Sequence, residues 1–397
     1  MIQRDLEALA RKAATQYPVV TVFGPRQSGK TTLVRKVFPN HAYANLEDPE
    51  TRNLATQDYK GFFARFPPPV IIDEVQRVPE LASAVQVLVD ENRSRKGAFV
   101  LTGSHQPLLA QTVSQSLAGR TTLLTLFPPT FSELGIAATK ARTADEFLVR
   151  GFMPELQESD INPHDWYRNH FHTYVERDVR RLVNVRNLSL FERFVTLLAG
   201  RVGQVVNYHG LSGETGVSAM TISEWLSVLE ASFIVFRLPP QFSNVSKRLV
   251  RSPKVYFSEV GLATYLLGIE NPLQAARDPL RGQLFENMVV AEAWKRRAHA
   301  GRDPNLTFLR TEKGFEIDLI LSSARRLRPI EIKSAMTWRD SFAAAPRRLV
   351  AETDESENPM VIYDGEPMDF SDGLLVRNFR DFNLETPHHN PSEQGAG

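Results

Sequence analysis

Val19-Val20-Thr21-Val22-Phe23-Gly24-Pro25-Arg26-Gln27-Ser28-Gly29-Lys30-Thr31-Thr32, followed by Leu33-Val34-Arg35-Lys36-Val37-Phe38, decides the reading of this chain. Val19 to Phe23 is a short apolar run rich in β-branched residues between turn formers, the pattern of a strand buried on both faces. The segment from Leu33 reads as a helix. Between them stands Gly24-x-x-x-x-Gly29-Lys30-Thr31, in the strand-to-helix context that gives this spacing its meaning. Glycine lets the backbone wrap a phosphate with no Cβ in the way, so successive N–H groups point inward. Pro25, Arg26, Gln27, Ser28 and Thr32 complete the loop, and the helix beginning near Gly29 adds the positive end of its dipole. Lys30 is expected to reach the β- and γ-phosphates of a nucleotide, and Thr31 to ligate Mg²⁺ through its hydroxyl. The plain alternative is a chance glycine-rich turn, which the flanking strand and helix argue against.

A second element works with the first. Val70-Ile71-Ile72-Asp73-Glu74 is an apolar strand ending in two carboxylates. The C-terminal ends of parallel strands form the crevice where ligands bind. Asp73 is therefore expected to hold Mg²⁺, and Glu74 to polarise the attacking water. Further strands are expected at Tyr43 to Leu46, Ala98 to Leu101 and Thr121 to Leu126. A strand–helix unit separates the loop from Asp73, so the two motifs are expected in non-consecutive sheet positions. Thr102 or Ser104 then stands beside the γ-phosphate as a sensor, or else the segment is an ordinary strand-end turn. Arg120, after the helix-ending Gly119, is a candidate arginine finger in cis or in a neighbouring subunit; a surface arginine is the alternative. The expected cofactors are ATP and Mg²⁺.

The chain has 397 residues, which implies two to three domains. Its 47 basic and 46 acidic residues nearly cancel, so any nucleic-acid partner must be met by a local patch. With no cysteine, disulfides, thiolate metal sites and a cysteine nucleophile are excluded. The N-terminus lacks a basic segment followed by an apolar run, and no apolar stretch approaches the ~20 residues of a membrane span. A cytoplasmic protein without a membrane partner is expected. Residues 385–397 read as a disordered tail.

Past Pro154 the pattern turns helical. A helix is expected from His164 to Val183, with Arg177 to Arg181 on a solvated face or against phosphate. Helices at Leu190 to Val202 and around Leu211, a Gly-containing turn, a helix from Met220 to Glu230 capped by Ser218, and a strand at Phe233 to Leu238 give a winged-helix order. The helix after the turn carries two acids and no base, which suits structure or partner binding better than groove reading. Lys247, Arg248, Arg251 and Lys254 leave nonspecific phosphate contact open.

The last segment is expected to run strand (Lys254 to Phe257), short helix, then a helix Gln283 to Trp294. Strands at Leu306 to Arg310, Phe315 to Leu321 and Arg328 to Lys333, a helix, and a strand at Pro359 to Tyr363 follow. Asp318 sits on the second of those three strands. Glu331 and Lys333 share a face of the third, since side chains alternate with period two. With Glu286 from the leading helix they form a candidate divalent-metal site of phosphodiester chemistry. The alternative is an inactive scaffold.

The chain resembles the AAA+ ATPases, and more closely one prokaryotic family of them. The resemblance lies in Gly24 to Thr32, Asn45-Leu46-Glu47-Asp48-Pro49, Asp73-Glu74-Val75-Gln76, Leu101 to Ser104, Ser116 to Arg120 and Phe131-Ser132-Glu133-Leu134. Glu259 stands where that family shows an aspartate. The resemblance implies an α/β P-loop NTPase sheet with helices on both faces in 1–135. A helical and winged-helix region in 136–250 follows, then a restriction-endonuclease-like α/β domain in 251–384. It implies ATP hydrolysis and a homo-oligomer. Two roles follow: nucleic-acid remodelling or processing, or an ATP-dependent regulatory switch that docks partners. A P-loop kinase fits less well, because Glu74 suits activation of water.

Overall fold

The computed structural model describes residues 2–104, 116–175, 188–241, 250–353 and 355–384. Five strands, β1 (Val19–Phe23), β2 (Ala42–Asn45), β3 (Val70–Asp73), β4 (Phe99–Gly103) and β5 (Thr121–Thr125), form one sheet in the order β2-β3-β4-β1-β5. All four pairings are parallel. As expected, β4 separates the loop strand from the Asp73 strand, so both motifs leave the same edge of the sheet one strand apart.

The apolar runs are continuous because both faces are covered. Val20 and Val22 pack with Leu6, Ala10, Leu33 and Val34 of the helices Leu6–Gln16 and Lys30–Val37. Val19 and Phe23 face the other way, toward Phe62, Leu81 and Val85 of the helices Tyr59–Arg65 and Leu81–Glu91. This is the P-loop NTPase fold expected from the sequence.

Helices Leu188–Ala199, Tyr208–Thr215 and Ala219–Ala231 follow, the last capped by Ser218 Oγ accepting from the Thr221 N–H at 3.1 Å. Strand β6 (Val235–Leu238) then pairs antiparallel with β7 (Lys254–Phe257). That pairing spans the expected boundary at residue 250, with β6 on one side and β7 on the other. The helix expected over 164–183 is present as Pro163–Tyr174. The basic positions Arg177, Arg180, Arg181, Lys247 and Arg248 lie outside the described residues, as does the tail from 385.

The C-terminal sheet is mixed. Strands β8 (Leu306–Arg310), β9 (Glu316–Ser323), β10 (Arg326–Lys333), β11 (Met360–Tyr363), β12 (Met368–Asp369) and β13 (Leu375–Asn378) take the order β12-β13-β11-β10-β9-β8. β8, β9 and β10 are antiparallel neighbours, while β10, β11 and β13 run parallel. β12 and β13 were not anticipated: two and four residues are too short to show a period. The helix Arg281–His299 buries apolar residues all round, among them Phe285, Met288 and Val290, as a helix enclosed by other elements does.

That helix also reaches the nucleotide-loop module through buried charge. The Glu133 side chain, fully buried, accepts from the N–H groups of Asp5 and Thr130 at 2.8 and 2.9 Å. Arg4 Nε lies 3.2 Å from Glu133 Oε1, and His299 Nδ1 lies 3.3 Å from Oε2. Arg4 also donates to the carbonyls of Phe127 and, at 2.9 Å, Ser28, so the phosphate loop hangs on this junction. Lys295 adds a bond to the Pro129 carbonyl at 2.9 Å. Burial opposes the Glu133 charge, but His299, Arg4 and the Thr130 N–H together hold its carboxyl well below the usual range.

Glu133→Ala strands Arg4 in the interior and is expected to cost roughly 3–5 kcal/mol of stability by urea unfolding. Glu133→Gln is expected to cost less. A carboxyl with a depressed folded-state pKa contributes stability above its unfolded value of about 4.3 and loses it as pH falls. The gap between wild type and Glu133→Gln should therefore narrow below that pH.

Candidate functional site

Gly24 (φ +149°), Gln27 (φ +58°) and Gly29 (φ +94°) bend the loop after β1 into a concave turn. A Cβ at Gly24 would lie 2.0 Å from the Leu126 carbonyl oxygen, so only glycine fits there. The helix Lys30–Val37 begins directly after Gly29 with no side chain capping its first N–H groups, which leaves its positive end to the loop's concavity. Lys30 is 6% exposed, and its Nζ donates to the carbonyls of Gly24 at 3.0 Å and Pro25 at 2.7 Å. Burial lowers its pKa to about 8, against the opposing pull of Glu74 and Asp73.

Asp73, at the end of β3, collects hydroxyls. Its Oδ2 accepts from Thr31 Oγ1 at 2.8 Å and from Tyr43 Oη at 2.7 Å, and its Oδ1 from Thr102 Oγ1. Carboxylate and threonine hydroxyl side by side are hard oxygen donors of the kind Mg²⁺ takes. Glu74 follows in a left-handed conformation (φ +59°), rare outside glycine and found where surrounding structure enforces it. Its N–H donates to Thr102 Oγ1 at 3.2 Å; its Oε2 accepts from Gln76 Nε2 and, at 3.3 Å, from Ser104 Oγ. Thr102 therefore bridges the two carboxylate residues, which a plain turn does not require.

Lys30, Thr31, Thr32, Gln27 and Glu74 line one wall of a groove of about 980 Å³. The helix Pro163–Tyr174 supplies the other. From it His170 places Nδ1 2.7 Å from Gln27 Oε1 and stacks on Trp166, ring centroids 4.8 Å apart. Arg4, Tyr43 and His170 went unnoticed in the sequence, since each acts through a contact distant in the chain. Gln76 was visible only as part of the quoted resemblance.

Two expected members stand elsewhere. Arg120 directly precedes β5, and every strand of this parallel sheet meets the phosphate loop at its other end. Its guanidinium forms a bidentate pair with Asp90, both contacts 2.8 Å. A finger role in cis is thereby corrected: the length of β5 separates Arg120 from Lys30. Glu286, Asp318, Glu331 and Lys333 do converge in the C-terminal domain, but Lys254 converges with them. Among the described residues, no group of three acidic or histidine side chains is arranged to hold a metal ion.

Residues 16–135 match the family model "AAA domain", residues 141–273 a domain of unknown function (DUF8612), and residues 281–378 another (DUF4143). The uncharacterized proteins Rv2008c of Mycobacterium tuberculosis and Mb2031c of Mycobacterium bovis are each 33% identical to this chain over 378 residues, covering 92% of it and 80% of their own length. Among solved structures, the Walker-type ATPase PABY2304 of Pyrococcus abyssi aligns over 66% of this chain and 94% of its own, with 13% identity and a TM-score of 0.44. No helix among the described residues is long and apolar enough to cross a membrane.

Two glycines test the loop's geometry. Gly24→Ala drives a methyl into the Leu126 carbonyl and should cost roughly 3 kcal/mol and deform the loop. At Gly119 (φ +72°) a Cβ would meet nothing within 4 Å, so Gly119→Ala should cost about 1 kcal/mol of backbone strain alone. Denaturant unfolding of the two variants, with pyrophosphate binding as second readout, separates them.

Proposed function

The chain belongs to the family of the mycobacterial protein Rv2008c, with an AAA domain at its head, and on that premise we propose that it binds ATP with Mg²⁺ and hydrolyses it. The observation that carries this reading is the meeting of Lys30, Thr31 and Glu74 along one groove edge, with Asp73 bonded to Thr31 just beneath it. Mg²⁺, when bound, neutralises phosphate charge and polarises the bond to be broken. The chain's own groups do the rest. Lys30 exchanges the carbonyls of Gly24 and Pro25 for β- and γ-phosphate oxygens, and the loop N–H groups close on the same anion. Thr31 and Asp73 supply the ligands that hold the ion. Glu74, steadied by Gln76 and Ser104, accepts a hydrogen bond from the attacking water and aims it at the γ-phosphorus. Thr102 joins Asp73 to the Glu74 backbone, so occupancy at one carboxylate is felt at the other.

We place the ATPase module at 1–135 and extend the middle, winged-helix-like module through the β6–β7 hairpin. Turnover in this reading moves those later modules against the loop, through His170 on Gln27 and the Arg4 junction. The coupled partner is nucleic acid to be remodelled or a protein to be docked. Stimulation of turnover by single- or double-stranded DNA separates the two.

Glu74→Gln is expected to bind ATP as wild type does but to slow hydrolysis about 10²-fold or more, read by single-turnover phosphate release. A wild-type rate in that variant would remove Glu74 from the mechanism. Lys30 gives a pH signature. An anion prefers the ammonium, so affinity is full below the free protein's Lys30 pKa of about 8 and falls as pH rises through it. ATP should bind roughly tenfold more weakly at pH 9 than at pH 7. Lys30→Arg, always charged, should bind more weakly but flatten that dependence in a fluorescent-nucleotide titration.

A further inference from the structure

Glu286 projects from the helix Arg281–His299, Asp318 and Glu316 from β9, and Glu331 from β10. These carboxylates are the natural place to look for a divalent metal. Lys254 of β7, its side chain 2% exposed, brings Nζ to 3.0 Å from Glu286 Oε1 and 2.7 Å from Glu316 Oε1. The Phe308 ring lies 5.4 Å from the same ammonium. Tyr256, two residues along the same face of β7, donates its hydroxyl to Glu286 Oε1 at 2.5 Å. On the far side Lys333 pairs with Glu331 at 2.5 Å and stands 3.7 Å from Asp318 Oδ2, which also accepts the Ile332 N–H at 2.9 Å.

One oxygen of each of Glu286, Glu316, Asp318 and Glu331 is thus already engaged by an ammonium, phenol or amide donor, while Glu331 Oε2 is buried without a hydrogen-bond partner. The charge is met as well. Four carboxylates face two ammonium groups, and burial, together with the neighbouring Asp318 charge, pushes Glu286 and Glu331 up to about 7 despite those lysines, so protons supply part of the remainder. A divalent ion entering between Glu286 and Glu316 must displace Lys254, whose side chain is enclosed and has no water to retreat into.

The structure assigns this cluster a cation of its own: the Lys254 ammonium, carried in on the β6–β7 hairpin, stands among Glu286, Glu316 and Asp318 in place of a divalent metal. The cluster is a lock that fastens the hairpin of the middle module to the C-terminal sheet, and it is not a centre for phosphodiester cleavage. Lys254 and Tyr256 are its tongue; Glu286 is the socket both enter.

The test uses nucleotide-free, full-length protein, with thermal midpoints in EDTA, Mg²⁺ and Mn²⁺ and a Mn²⁺ titration followed by electron paramagnetic resonance. Wild type should show no metal-dependent midpoint. Lys254→Met, which leaves Glu286 without its cation and Glu316 with only the Arg310 guanidinium at 3.5 Å, should melt roughly 5–10 °C lower. Millimolar Mn²⁺ should return part of that loss, because the emptied socket is now an oxygen-rich metal site. Lys254→Met with Glu286→Gln should melt above the single variant in EDTA and respond less to Mn²⁺. A wild-type midpoint raised by Mn²⁺, with the rise lost in Asp318→Asn and kept in Asp73→Asn, overturns the assignment. So does a Lys254→Met protein as stable as wild type. Should Lys254→Met not fold, the double variant decides: folded and indifferent to metal supports the lock, unfolded overturns it.

Discussion

The buried pairing of Arg4 with Glu133 is the constraint on which the rest of the molecule depends. One guanidinium meets a fully buried carboxylate and two backbone carbonyls, Ser28 in the phosphate loop and Phe127 beyond β5. His299 closes the same junction from the C-terminal helix, its Nε2 accepting the Phe127 N–H at 3.1 Å. Such a pair adds little over a well-packed apolar core, but it is costly to break by halves. That asymmetry makes it a register device. The junction links His299 of the helix Arg281–His299, through Glu133 and Arg4, to the Ser28 carbonyl of the phosphate loop.

On that fixed frame the nucleotide site is arranged for exchange. Lys30 rests on loop carbonyls, Thr31 on Asp73, and Glu74 on Ser104 and Gln76. Each contact satisfies a buried polar group, and in the proposed reading each is a bond that a phosphate, an ion or a water replaces in kind. The left-handed Glu74 backbone is held by the Thr102 hydroxyl, so its carboxylate is aimed before any ligand arrives. The second wall is less committed. His170 touches the loop through Gln27, a flexible side chain, which suits a wall that shifts when the loop closes on an anion.

Much of this was legible in the sequence, for physical reasons. The strand preceding Gly24 and the strand ending at Asp73 are apolar throughout because a parallel sheet is covered on both faces, and that composition survives without any knowledge of partners. Motif spacing then fixed which edge carries the site. Arg120 shows the same logic misapplied. Gly119 signals a helix end, but Thr121 opens a strand parallel to β1, and the residue before a parallel strand lies at the edge away from the ligand. The hairpin is hidden for a different reason: β6 and β7 are short, and the segment between them separates partners that no local period connects. In the sequence Lys254 stands only as one of several basic residues after the strand at Phe233 to Leu238 and as the start of the next strand. Nothing near it in the chain announces Glu286, which lies on a helix beyond an entire intervening helical segment, or Glu316 beyond that.

Two buried lysines in this molecule share a residue type and a degree of enclosure, and their proton affinities move in opposite directions. Lys30 is depressed because desolvation outweighs the pull of Asp73 and Glu74, while carbonyl dipoles are its direct partners. Lys254 suffers desolvation too, yet Glu286, Asp318 and Glu316 overcome it and raise the ammonium above its ordinary range. A buried cation lacking full charge compensation gains by admitting an anion; one already surrounded by carboxylates has nothing further to gain. In these two lysines the opposite shifts follow from their partners, carbonyl dipoles for Lys30 and carboxylates for Lys254. In the proposed reading the chemistry lies at the edge of the parallel sheet, and Lys254 makes the acidic cluster of the mixed sheet part of the architecture.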